Sequence, residues 1–303
     1  MLKDIWQEAG RLENIFLEII EDPTKKEILL YPICYCQLVR KDSNFEIELT
    51  KLISCASKTF HTFKGRWQDI LLELDLFQLI TPKGDVLYGK EFLKIQSPEG
   101  FKISFLPEYR EVFYEVYSKL LKYWTVLSKI SSYSRRSIPA EQVYLSALIF
   151  NEELFPEAVH FVSMQSLRFP EERSFFYALK NMSEFYIRVN EKRELKTSLL
   201  EKSLSLLEEL RDPYYGISVE RLKRDIETLL RDIERGKRYF VLKIPFLLSS
   251  GNKKGFFKEI FEKVFNKLAE IRRKKLNLIL ADNTNLRKVQ AFPYKRECLL
   301  QRK

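Results

Sequence analysis

Through most of this chain apolar residues recur at steps of three and four, the spacing that gathers them on one side of an α-helix. The clearest run is 173–189, where Phe175, Ala178, Leu179, Met182, Tyr186 and Val189 share a face. Leu195, Leu199, Leu206 and Leu210 continue the pattern, widened by Leu200, Leu204 and Leu207. So broad a stripe suits a helix in a globular core better than a coiled-coil seam. Asp212-Pro213-Tyr214-Tyr215-Gly216 breaks the period, as proline and glycine do at turns. Ser218 then stands where its hydroxyl can cap a helix lined by Val219, Leu222, Ile226, Leu229 and Ile233. Helices of this length are not stable alone, so the pattern predicts an all-helical domain over 138–236.

Upstream, helices are predicted over 1–22, over 25–38 with Pro32 as a kink or late start, and over 45–56 and 64–79. The stretch from Leu79 to Tyr88 places Thr81-Pro82-Lys83-Gly84-Asp85 between two apolar runs, which reads as a β-hairpin. Three helices and a hairpin are the order of a winged helix-turn-helix, so residues 1–98 are expected to form a winged-helix-like domain with an N-terminal helix. One aromatic-rich helix over 107–129 follows, then a serine-rich linker over 131–137, with Pro139 suited to the first turn of the next helix. Residues 99–137 are therefore a connecting helix and linker, and the main domain boundary is expected there. After 236 the pattern changes. Phe240, Leu242, Ile244 and Phe246 alternate as a strand over 238–247, a helix fits 256–275, and further strands fit 276–281 and 289–300. Strand, loop, helix and strand imply a parallel crossover, hence a small α/β unit over 237–303 in a mainly α chain.

Part of the middle carries a resemblance. Phe150-Asn151, Phe155 and Glu157-Ala158, then Leu199-Leu200-Glu201-Lys202-Ser203-Leu204, then Tyr214-Tyr215-Gly216-Ile217-Ser218-Val219 and Leu222 resemble the bacterial and archaeal family called domain of unknown function 309. The likeness covers about residues 149–231 and implies an all-helical fold. That family's mark is His-x3-Glu-x2-Trp/Tyr after Glu-Ala, suspected of binding metal. Here the three positions hold Val159, Ser163 and Ser166, and a register shifted to His160 brings Met164 and Leu167. Either way the carboxylate is lost. A metal needs several converging N, O or S ligands, so no metal site and no cofactor are expected.

Charge changes the picture more than composition does. The 303 residues carry a net +10, but residues 1–95 sum to −2, 96–140 to +3, 141–236 to −4 and 237–303 to +13. The excess belongs to the C-terminal 67 residues, and such a field attracts polyanions. Candidate nucleic-acid contacts there are Lys253, Lys254 and Lys258 around a Ser/Gly/Lys loop at a helix start, the run Arg272-Arg273-Lys274-Lys275, and Arg287 with Lys288. The loop does not match the phosphate-binding pattern of nucleotide hydrolases, since its glycines are four apart and Phe256 replaces the lysine. In the winged-helix-like domain Lys64 and Arg66 open the candidate recognition helix, but Asp69 and Glu73 follow one turn apart, where phosphate would be repelled.

The remaining chemistry is thin. Two histidines, His61 and His160, stand in no nucleophile or metal motif, and no carboxylate spacing singles out an acid–base pair. Cys34, Cys36 and Cys55 read as buried reduced thiols, and Cys298 stands in the basic end. No apolar run of spanning length is present, and the amino terminus lacks a signal-peptide core, so a cytoplasmic protein is expected. Three readings follow. The first is a non-enzymatic protein associated with DNA or RNA, without sequence preference, through its basic C-terminal unit. The second is an interaction scaffold whose basic end docks on an acidic protein partner. The third is an unrecognised or degenerate metal-dependent enzyme.

Overall fold

A computed structural model describes residues 2–39, 45–59, 65–130, 138–191, 195–237 and 240–247. The helix expected over 256–275 and the strands over 276–281 and 289–300 lie outside the described residues. The protein is mainly α-helical with one small antiparallel sheet. Its packing divides into two compact units, one ending at Glu172 and the other beginning at Arg173, not at the linker over 131–137. The reason is that the helices after the linker bury their faces against the N-terminal part of the chain.

In the first unit α1 (Leu2–Glu21) is followed by a 3-10 helix (Pro23–Leu29) and α2 (Leu30–Val39). Pro32 falls in the first turn of α2, where a missing N–H costs no intrahelical bond, so the late start is realised. Then come β1 (Ile47–Glu48), α3 (Leu49–Thr59), α4 (Trp67–Leu74), β2 (Phe77–Ile80), β3 (Val86–Leu87), a 3-10 helix (Gly89–Lys94) and β4 (Lys102–Phe105). The sheet order is β1-β4-β2-β3, antiparallel throughout, with Ile47 opposite Ile103, Phe77 opposite Phe105 and Leu79 opposite Leu87. The helix expected over 64–79 is shorter, because Asp75 adopts a left-handed φ of 52° and ends α4. The chain beyond it enters β2. The predicted hairpin is present, with Thr81 N–H on Asp85 O at 2.8 Å and Gly84, at φ 92°, donating to Thr81 O at 2.9 Å.

Tyr35 ties α2 to the sheet. Its hydroxyl donates to Phe45 O (2.6 Å) and accepts from Phe105 N–H (3.0 Å), while its ring lies against Phe77 and Phe105. On the other sheet face Gln78 reaches Ser104 at 3.0 Å, both buried. The single helix expected over 107–129 is broken into α5 (Pro107–Glu111) and α6 (Phe113–Ser128), with Val112 between them at φ −109°, ψ 27°. The unit closes with α7 (Pro139–Asn151) and α8 (Phe155–Arg168), which pack on α6 and α1.

The second unit is α9 (Arg173–Asn190), α10 (Thr197–Glu208) and α11 (Val219–Glu234). All six apolar residues assigned to the face of α9 are buried. On α10 the buried line is Leu200, Ser203 and Leu207, with Leu199 and Leu206 half-buried beside it. The small Ser203 lets α10 approach α9 closely, and its hydroxyl donates to Ala178 O at 3.0 Å. Ser218 caps α11 as expected, accepting from Arg221 N–H. Residues 240–247 form no strand of a sheet among the described residues, Phe246 making one isolated antiparallel bridge to Ile217. They run along this unit instead, burying Leu242 and Ile244. Leu242 N–H donates to Tyr186 Oη, which donates to Phe240 O, and Ser218 N–H donates to Pro245 O.

Candidate nucleic-acid interface

Of the candidate contacts only Arg66 falls among the described residues; Lys64, Lys253, Lys254, Lys258, Arg272, Arg273, Lys274, Lys275, Arg287 and Lys288 lie outside them. Arg66 is exposed at the start of α4, where a base or phosphate contact was expected. Its guanidinium instead holds Asp69 in the same turn, Nε on Oδ2 at 2.9 Å and a terminal nitrogen on Oδ1 at 3.0 Å. That hydrogen bond pulls the Asp69 carboxyl below its ordinary value and raises Arg66. The rest of α4 is committed in the same way. Gln68 donates to Ile95 O at 3.1 Å, which fixes the segment after the hairpin against the first turn of α4. Glu73 takes Lys25 Nζ at 2.7 Å, a bond that raises the lysine pKa. Arg11, from α1, donates to the carbonyls of Glu73 and Leu74, satisfying helix-end acceptors that have no partner within α4.

Beyond α4, residues 81–101 carry β3 and the 3-10 helix between β2 and β4, largely exposed but with Phe92 and Ile95 buried. Lys83, Lys90 and Lys94 are exposed there and form no ion pair among the described residues. Val86, Tyr88 and Leu93 are also open to solvent, Tyr88 at 48%. A shallow groove of about 520 Å³ lies here, with Leu87, Ile95 and Phe101 as its apolar lining and Glu91, Lys94 and Glu99 among its polar groups.

A second cluster is buried where α1, α6 and α8 meet. Glu157 is fully buried, and its Oε1 accepts from Tyr123 Oη at 2.5 Å and from Lys119 Nζ at 2.7 Å. Its Oε2 has no hydrogen-bond partner among the described residues. Phe16 stacks on Tyr123 with ring centroids 4.2 Å apart. Burial, reinforced by Glu157, drives the Tyr123 phenol well above its ordinary value. His160, one turn on, is bonded through Nδ1 to Glu13. Glu157 was visible in the sequence only as part of a Glu-Ala pair. Its partners lie 34 and 38 positions away, and no spacing signals them. The hydroxyls of Ser163 and Ser166 turn back onto α8, to Val159 O at 2.7 Å and Ser163 O at 2.8 Å. No group of three or more His, Cys, Asp or Glu side chains that could hold a metal occurs among the described residues. Cys34, Cys36 and Cys55 are free thiols. A hydrogen bond to Cys55 together with burial raises the Cys34 thiol, and burial raises Cys36, which keeps both as unreactive thiols.

Fold and surface thus define a mainly helical protein of two compact units, with no described helix long and apolar enough to cross a membrane. The chain belongs to the family of a protein from Aquifex aeolicus (strain VF5) that is named "Uncharacterized protein" and is 41% identical over 273 residues, 90% of this chain and 87% of that one. No family model and no solved structure matches the chain.

Proposed function

We propose that this is a non-enzymatic, cytoplasmic nucleic-acid-associated protein, and that it grips the phosphate backbone of DNA or RNA without reading base sequence. The observation that carries the reading is the net +13 confined to residues 237–303 in a chain whose other parts are near neutral. The arrangement of the first unit supports it. Residues 30–105 run helix, strand, helix, helix and then three strands, and β1 pairs with β4. We read this order as winged-helix-like, with α4 in the recognition position and residues 81–101, β3 among them, as the wing. Base reading is not part of the proposal, because Arg66, Gln68 and Glu73 are already engaged within the protein. The likeness of residues 149–231 to domain of unknown function 309 brings no metal chemistry, since Val159, Ser163 and Ser166 stand at that family's ligand positions.

The test is binding to short DNA and RNA over a range of salt. If roughly five to eight of the C-terminal cations meet phosphates, affinity falls on the order of a thousandfold between about 50 and 200 mM salt. Removing the chain after Leu247 should weaken binding at least about a hundredfold. The cut belongs there and not after α11, because residues 240–247 bury Leu242 and Ile244 in the second unit. Undiminished binding by the shortened chain moves the site elsewhere. If the intact chain binds neither nucleic acid at low salt, the reading fails and an acidic protein surface becomes the partner to seek.

A further inference from the structure

We infer that the wing, and not α4, is the part of the first unit that meets nucleic acid, with Lys83, Lys90 and Lys94 set on the phosphates of a duplex. The inference rests on the nucleic-acid reading above and adds a contact site outside residues 237–303.

Three observations converge on it. The first is how the unit uses its cations. Lys51 is held by Glu48 (3.0 Å), Lys102 by Glu46 (3.1 Å), Lys129 by Glu152 (3.2 Å) and Arg168 by Glu21 (2.8 Å), while Arg66 and Lys25 are bound on α4. Among the residues of this unit whose side chains are described, which leaves out Lys3 and Lys58, the exposed cations left without an ion pair are the three wing lysines. Second, two of the three wing carboxylates have structural tasks. Asp85 bonds the Thr81 hydroxyl in the hairpin turn, and Glu91 accepts from Tyr88 N–H at the start of the 3-10 helix. Third, Val86, Tyr88 and Leu93 are exposed among the lysines, so the wing offers apolar surface beside discrete ammonium groups. Sugar edges flanked by phosphates present the complementary pattern.

Asp85, Glu91 and Glu99 balance the three lysines in formal charge, so the wing does not act through a long-range field. Its contribution is short-range contact. Each lysine that displaces a counterion from a phosphate adds about 0.9 to the slope of log affinity against log salt. The full chain with Lys83→Gln, Lys90→Gln and Lys94→Gln should therefore lose about 2.7 from its slope on a mixed-sequence duplex of about 20 base pairs. Between about 50 and 200 mM salt the unaltered chain then weakens about 40-fold more than the variant.

The experiment uses fluorescence anisotropy on DNA and RNA duplexes, which separates the two sources of phosphate. A charge-matched control carries Lys202→Gln, Arg221→Gln and Arg224→Gln, all exposed in the second unit, and should keep the slope within about one of the unaltered chain. Melting by circular dichroism shows that both variants fold. A normal slope in the wing variant of a binding-competent chain overturns the inference and leaves the nucleic-acid reading standing. Equal losses in variant and control also overturn it, by reducing the effect to net charge. Failure of the unaltered chain to bind either duplex, with or without binding to phosphatidylserine vesicles, overturns both.

Discussion

Replacing Glu157 by alanine should destabilise the first unit by about 3 kcal/mol, and the figure follows from where its partners can go. The carboxylate is fully buried and receives two hydrogen bonds, from Tyr123 and Lys119. Bonds to a charged group are each worth about 1.5–3 kcal/mol, and removing one partner of a buried ion pair typically costs about 3–5 kcal/mol. The lower end applies here for two reasons. Lys119 keeps 22% of its side chain exposed and can turn to water, and Glu157 already carries an unsatisfied Oε2 that offsets part of the gain. Tyr123 has no such escape, since it is fully buried beneath Phe16.

The assay is urea unfolding followed by tryptophan fluorescence. Trp6, Trp67 and Trp124 are the three tryptophans of the chain and all lie before Glu172, so the signal reports the first unit. At about 2–4 °C per kcal/mol for a unit of this size, the melting temperature should drop by about 6–12 °C. A companion variant tests the cause. Glu157→Leu combined with Tyr123→Phe and Lys119→Met removes every orphaned group at once and should cost far less than the single change. A loss under about 1 kcal/mol for Glu157→Ala, or a triple variant worse than the single one, would refute this reasoning.

Two further outcomes are expected. Burial pushes Tyr31 up to about 12 and raises Tyr35, Tyr123 and Tyr144, so the fold favours the protonated phenol in each. Once the pH passes the ordinary tyrosine value of about 10, the folded state holds more protons than the unfolded chain. Stability should therefore be unaffected by these groups below about pH 10 and fall from there toward 12; ionisation at 295 nm that is complete before unfolding would contradict it. Asp69→Ala frees Arg66 on the first turn of α4 and, with the contact made by the wing and not by α4, should leave the salt slope on duplex unchanged; a slope steeper by about 0.9 would bring that turn into the interface.

The helices were legible in the sequence wherever one face is buried and the other solvated. Phe175 through Val189 show this on α9, and Ser218 marks the start of α11. The sheet was half legible. The hairpin announced itself through Thr81 to Asp85, but β4 did not, because Ile103, Ser104 and Phe105 are all buried and a strand covered on both faces loses the alternation that betrays it. For the same reason Phe77 and Leu79 passed for the end of a helix, and only the left-handed Asp75 separates them from α4. The break at Val112 carries no proline or glycine to give it away. Arg66 was found as a candidate, yet its capture by Asp69 depends on side-chain geometry within one turn. Spacing alone shows that such a pair is possible, and not whether it excludes an outside ligand.

That distinction bears on how the charge of the chain should be read. In the first unit opposite charges are largely spent on each other: Lys25 holds Glu73 at the end of α4, Arg168 grips Glu21, and Lys119 is drawn to a buried carboxylate. Such cations contribute to net charge without being available to a phosphate, since releasing one leaves its carboxylate facing the same polyanion. The exposed pairs also weaken with salt, but breaking them releases no counterion from nucleic acid and so adds nothing to the binding slope. The slope therefore counts uncommitted cations alone. If the wing and residues 237–303 hold them, a chain ending at Leu247 should keep a shallow slope near 2.7 in its weak residual binding, and the wing substitutions should erase it. A steep slope surviving in that shortened chain would mean that cations outside the wing meet phosphate, either from ion pairs of the first unit that open on contact or from exposed residues of the second unit such as Lys202, Arg221 and Arg224.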